Sequence, residues 1–151
     1  GIFGHSFGGC TSIMSAYNDT RIDAVIGLDA YFLPLPKGII KKDLNTPFVH
    51  LGQVSWGDSD NYEVMSELGK SSNREFYHFA IEGSKHNDYT DFSQFTKLTR
   101  KFGSGKISPK SIRYIMNDVM LGFFDYHLKN RSIFDHNQYQ KKYESVKTYV
   151  H

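Results

Sequence analysis

Gly4-His5-Ser6-Phe7-Gly8-Gly9 fits the pattern G-x-S-x-G, and the spacing has a chemical reason. A serine that attacks a carbonyl must project its hydroxyl from a tight strand-to-helix turn with strained backbone angles. Side chains two residues before and after it would collide with neighbouring strand and helix backbone, and Gly4 and Gly8 remove them. The helix that follows aims its positive end at the site. The backbone N–H of Phe7 can then serve as one oxyanion donor. The bare pattern arises by chance in about one chain of this length in twenty, so its surroundings matter. Apolar Ile2 and Phe3 precede it, a helical pattern follows, and Gly9 allows close helix packing. The plainer reading is a glycine-rich turn that caps a helix.

A lone serine is a weak nucleophile. It needs a base, and the base needs an orienting acid. After such a turn in a parallel sheet the chain order is serine, acid, histidine. Asp29 directly ends the apolar run Ala24–Leu28, at the strand edge where α/β sites are built. Asp23 precedes the same run, at the wrong edge. Asp58 and Asp60 follow the next strand candidate and are the reserve choice. Seven histidines compete for the base. His50 and His78 fall inside strand candidates, His127 lies on a long helix, and His136 and His151 lie near the end. His5 neighbours the serine but should point away from its hydroxyl and brace the turn. Only His86 sits in a loop just after a strand, in Glu82-Gly83-Ser84-Lys85-His86-Asn87-Asp88.

Short apolar runs alternate with helical ones, which implies an α/β fold around a parallel sheet. Gly1–Phe3 reads as the stub of a strand and Ser6 to about Tyr17 as a helix ended by Asn18-Asp19. Ala24–Leu28, Pro47–Val54 and Glu75–Ile81 read as strands. A helix is expected from Asp60 to about Leu68, stopped by Gly69. Asp91–Lys101 is expected as a helix or a structured loop. Ser108-Pro109 opens the longest helix, with Ser as N-cap and Pro at the first position. Its apolar face is Ile112, Ile115, Met116, Val119, Met120, Phe123, Phe124 and Leu128, the width that packing on a sheet requires. The remainder, to His151, reads as a polar, Tyr-bearing tail.

The 151 residues suit one domain. Hydrophobic residues make up 39% and charged residues 23%, which excludes a disordered tail and a membrane span. The net charge is only +2, and no basic stripe interleaves with aromatics, so nucleic acid is not an expected partner. The single cysteine, Cys10, cannot form an internal disulfide and leaves the compartment undetermined. The chain opens at the motif with neither Met nor signal peptide. The expectation is a fragment, with any targeting signal upstream.

GHSFGG, the LDAY segment with Asp29 and Tyr31, and EGSKHNDYTDF around His86 resemble the platelet-activating-factor acetylhydrolase family, the plasma-type and intracellular type II esterases and their bacterial relatives. The resemblance spans roughly Gly1 to Phe95, and more loosely the long helix. It implies an α/β-hydrolase fold, related to dienelactone hydrolases, and a catalytic set of Ser6, Asp29 and His86. It favours Asp29 over Asp58. It also implies hydrolysis of short or oxidised acyl groups of phospholipids and small esters, with no metal or other cofactor.

By that resemblance the chain is the C-terminal portion of one α/β-hydrolase domain, residues 1–151, lacking everything before the nucleophile strand. The absent half would carry the first strands and the second oxyanion donor. Loss of one such donor costs ~3 kcal/mol in the transition state. The sheet would have only about three strands and a bare edge, which invites pairing with other chain, a homo-oligomer included. These residues are therefore expected to fold beside the missing half. Tyr31, Phe32 and Leu33, with Phe7, are candidates to line an acyl pocket, or else core. Rival readings are another hydrolase of the same fold (a peptidase or dienelactone hydrolase, the latter usually using cysteine), a non-catalytic scaffold, and a metal site from Glu82, His86 and Asp88, which lacks any H-E-x-x-H spacing.

Overall fold

The structure is a computed structural model that describes residues 1–56, 60–131 and 133–151. Five strands form one sheet in the order of the chain: β1 (Ile2–His5), β2 (Val25–Leu28), β3 (Phe48–Gln53), β4 (Phe76–Ile81) and β5 (Val146–Val150). The first four run parallel, and β5 returns antiparallel on β4, with Ile81 opposite Val146. Among the described residues, six α-helices connect or follow them: α1 (Phe7–Asn18), α2 (Lys37–Ile40), α3 (Asp60–Ser71), α4 (Phe92–Phe95), α5 (Pro109–Lys129) and α6 (His136–Lys142).

The parallel strands carry apolar residues on both faces, because each face is roofed by helix. On one face Ile26, Leu28, Val49, Leu51, Phe79 and Ile81 pack against Ile112, Ile115, Val119 and Phe123 of α5. On the other, Val25, Phe48 and Phe76 meet Cys10 and Ile13 of α1 and Met65 and Leu68 of α3. The α5 stripe is the expected one, with Met116, Met120 and Phe124 at its margin, while Leu128 is 39% exposed. Ser108 caps α5 by accepting from the Ser111 N–H, with Pro109 in the first turn.

Two expectations need correction. The region after α5 is not a tail: Asp135 caps α6, Tyr139 is buried, and β5 completes a sheet of five strands where about three were expected. Its polar composition follows from its place, since β5 buries only Val146 and lies at the sheet edge. Asp91–Lys101, expected as a helix or a structured loop, holds the short α4 and a 3-10 turn over Lys97–Phe102. Among the described residues, β1 pairs with β2 alone and its outer edge carries no partner strand.

Candidate active site

Ser6 sits between β1 and α1 with φ +57° and ψ −123°, a region that non-glycine residues rarely occupy. It holds the N-cap position but does not cap: its side chain makes no hydrogen bond to the helix. Forgoing a serine cap costs a helix about 1 kcal/mol, and the hydroxyl is released toward the sheet edge. The glycines divide unequally. A Cβ on Gly4 would lie 2.3 Å from the Gly8 carbonyl oxygen, and one on Gly9 would lie 2.5 Å from the Ala30 Cβ. Gly8 itself has open space around its Cβ direction, so packing within this chain does not require it, contrary to expectation. Phe7 opens α1, so its N–H is among the helix donors with no intrahelical acceptor.

Asp29 follows β2 and His86 opens a 3-10 turn after β4. The structure brings the two together with Ser6. His86 Nε2 lies 2.9 Å from Ser6 Oγ, and His86 Nδ1 lies 2.7 Å from Asp29 Oδ2. With Nδ1 donating to the carboxylate, Nε2 is left as acceptor for the serine hydroxyl. The His86 side chain is 35% exposed and that of Asp29 is 0% exposed. A buried carboxylate needs donors on all sides, and Asp29 has them. Oδ1 accepts from the Gln53 backbone N–H and the Trp56 indole N–H, and Oδ2 from the Gln53 side-chain amide and His86. The reserve acid Asp60 opens α3, and Asp58 lies outside the described residues.

The His86 loop is held from two sides. Asp88, 2% exposed, accepts from the backbone N–H groups of Lys85 and Gly105. His5 Nε2 lies 3.0 Å from the His86 carbonyl oxygen, and the two rings are 4.4 Å apart. His5 thus braces the base rather than only the turn. Burial, with His86 close by, pushes the His5 pKa below its usual value. The trio Glu82, His86 and Asp88 is drawn apart: Glu82 pairs with Lys147, Asp88 turns to backbone N–H groups and His86 to Asp29.

The candidate pocket residues separate. Tyr31 is half-buried and stacks on Trp56, with ring centroids 5.6 Å apart. Trp56 in turn sets its edge against His86. Leu33 is half-buried. Phe32 is fully buried between Phe48 and His50 and belongs to the core, the second of its two readings. Gln53 and Trp56 were missed by sequence reasoning. The available signal was a polar residue ending a buried parallel strand, beside the only tryptophan.

The sequence model of the family described as platelet-activating factor acetylhydrolase, isoform II, matches residues 1–149. The chain belongs to this family. Among relatives, the platelet-activating factor acetylhydrolase of Gallus gallus is 28% identical over 137 residues, 89% of this chain and 32% of that protein. The one from Canis lupus familiaris is 29% identical over 89% of this chain and 30% of its own length. This platelet-activating factor acetylhydrolase family chain therefore spans about a third of the curated relatives it matches. A ferulic acid esterase from Streptomyces cinnamoneus superposes with a TM-score of 0.76 at 22% identity, covering 98% of this chain and 46% of the esterase. That likeness shows the fold, an α/β-hydrolase-type sheet with flanking helices.

Proposed function

We infer that the chain carries the Ser-His-Asp machinery of a serine carboxylic-ester hydrolase. The observation that supports this most is the relay in which one imidazole reaches Ser6 Oγ and the buried Asp29 carboxylate at once. His86 Nε2 takes the hydroxyl proton as Ser6 Oγ attacks the ester carbonyl. Asp29 holds the Nδ1–H tautomer and stabilises the imidazolium. The Phe7 N–H, with a second donor outside this chain, binds the oxyanion. The alcohol leaves with the proton from His86. Water, activated by the same ring, then attacks the acyl-enzyme, and Ser6 recovers its proton.

Short or oxidised acyl chains of phospholipids, or small esters, are the substrate class that family membership supports. Residues 1–151 act as the C-terminal portion of one hydrolase domain, in which preceding strands extend the sheet from β1. The share of the relatives that the chain covers and the free edge of β1 support this placement. A fluorophosphonate probe tests the reading in the full-length protein. It should label Ser6, Ser6→Ala should abolish both labelling and ester turnover, and a panel of esters and peptides should show preference for the esters. An unlabelled Ser6 in folded protein would leave a non-catalytic scaffold instead.

A further inference from the structure

The backbone just past Asp29 has an acceptor for every N–H from residue 29 to 32. The Asp29 N–H donates to the Leu51 carbonyl, and the Tyr31 N–H donates to the Ser6 carbonyl at 3.0 Å. The other two acceptors are side chains. The Ala30 N–H donates to His50 Nε2 at 3.1 Å, and the Phe32 N–H donates to Asn61 Oδ1 at 2.6 Å. Asn61 Nδ2 donates back to the Ala30 carbonyl. His50 and Asn61 are both fully buried, and neither is hydrogen-bonded to Ser6 or His86. The turn they hold is strained, with Asp29 at φ +42°. Such a conformation persists only when its surroundings over-determine it.

His50 is an odd residue for its place. It lies on the sheet face lined by Phe32, Phe48 and Phe76, where an aromatic hydrocarbon would pack without loss. Because Nε2 accepts a backbone N–H, the neutral ring must carry its proton on Nδ1. Nδ1 is buried and has no hydrogen-bond partner among the described residues. An unpaired buried N–H destabilises the fold, so the ring is justified by what Nε2 does. Burial also pushes the His50 pKa well below its usual value, which keeps Nε2 free to accept.

We propose that His50 and Asn61 are positioning residues for the acid: they lock the backbone over residues 30–32, hold Asp29 in its strained turn, and so keep its carboxylate on His86 Nδ1. This rests on the reading of Ser6, His86 and Asp29 as the catalytic set. An imidazole acting only through a main-chain N–H, one residue from the acid, alters turnover by moving the carboxylate. Misplacement by about 1 Å at such a site costs about a hundredfold in rate.

The test uses the full-length protein with a short-chain nitrophenyl ester. His50→Phe keeps the ring and removes the acceptor. It should lower kcat by about ten- to a hundredfold, leave KM little changed, and weaken the far-downfield proton resonance of the His86 Nδ1–H. His50→Gln returns an acceptor at a similar reach and should restore most of kcat and the resonance. Asn61→Asp, which keeps the acceptor for Phe32 and loses the donor to Ala30, should lower kcat likewise. A residue that merely packs would lower the melting temperature in these variants without the kcat loss or its rescue. Wild-type kcat and resonance in His50→Phe, or a His50→Gln as impaired as His50→Phe, overturns the proposal. If His50→Phe does not fold, His50→Met against His50→Gln decides, and equal kcat in those two overturns it. Ser6→Ala run alongside separates the two layers. Activity that survives Ser6→Ala sinks the catalytic reading, whereas a dead Ser6→Ala beside an unimpaired His50→Phe sinks only the positioning role.

Discussion

Replacing Asp29 with asparagine exchanges one carboxylate oxygen for an amide nitrogen and thereby decides which nitrogen of His86 carries the proton. Asp29 accepts four hydrogen bonds, two on each oxygen. In one orientation the new amide keeps its oxygen toward the Gln53 backbone N–H and the Trp56 indole N–H, and its NH2 faces the Gln53 side chain and His86 Nδ1. The Gln53 amide can turn over to present its oxygen, and His86 can move its proton to Nε2. In the other orientation the NH2 opposes the backbone N–H and the indole N–H. Neither of those donors can become an acceptor, and each buried donor left unpaired costs about 1–3 kcal/mol. The first orientation therefore wins, and it leaves Nε2–H donating to Ser6 Oγ, unable to take its proton. The wrong tautomer costs a triad about 10⁴ in kcat, or about 5 kcal/mol in the barrier. The assay is kcat on a short-chain nitrophenyl ester, together with the rate of fluorophosphonate labelling and the melting temperature. Asp58→Asn in parallel should leave kcat unchanged. Asp29→Asn turning over within tenfold of wild type, in folded protein, would refute this reasoning.

Two further outcomes follow from buried groups outside the relay. Burial, aided by His151, pushes the His78 pKa down to about 3, against an ordinary value near 6.5. A depressed histidine pKa contributes stability that is fully present above about pH 6.5 and is lost as pH falls toward 3, by up to about 5 kcal/mol. Urea unfolding at pH 7 and pH 4.5 should show about 3 kcal/mol of that loss from His78, two pH units at about 1.4 kcal/mol each, and His78→Phe should reduce the pH dependence while the share of buried His50 remains; an unchanged dependence in His78→Phe would count against the assignment. At Gly105 a Cβ would lie 2.0 Å from the Gly83 carbonyl oxygen and 2.8 Å from Asp88 Oδ2. Gly105→Ala should therefore destabilise by about 1–3 kcal/mol and, by shifting the loop that carries His86, lower kcat at least about tenfold. Unfolding and turnover measured together check this, and a variant normal in both would contradict it.

What was legible in the sequence was whatever is local. Ser6 announces itself through glycine spacing, Asp29 through its place at the end of an apolar run, and His86 through being the one histidine in a loop after a strand. The α5 stripe is likewise a local periodicity. The contacts that hold the relay in place are not local. Gln53 and Trp56 reach Asp29 across 24 and 27 residues, and Asn61 reaches Ala30 across 31. No spacing rule joins such positions before the sheet register is known. His50 could be read only as a packed or half-exposed strand histidine, and it is packed, yet its ring nitrogen serves the neighbouring strand's exit. Strand β5 was missed because an edge strand that buries only Val146 has almost no hydrophobic signature. Phe32 was left between pocket and core because a run of large residues after Asp29 does not reveal which of them turns inward.

The Ser6 carbonyl accepts from the N–H groups of Gly9, Cys10 and Tyr31 at once. Main chain thus ties the elbow to the stretch carrying the carboxylate, so a shift of the backbone at residues 29–31 is felt at the serine as well as at the acid. The imidazole rides on a separate peptide segment, braced by Asp88 and His5. Amide exchange at Tyr31 would accordingly report breathing shared by the elbow and the turn that carries the carboxylate.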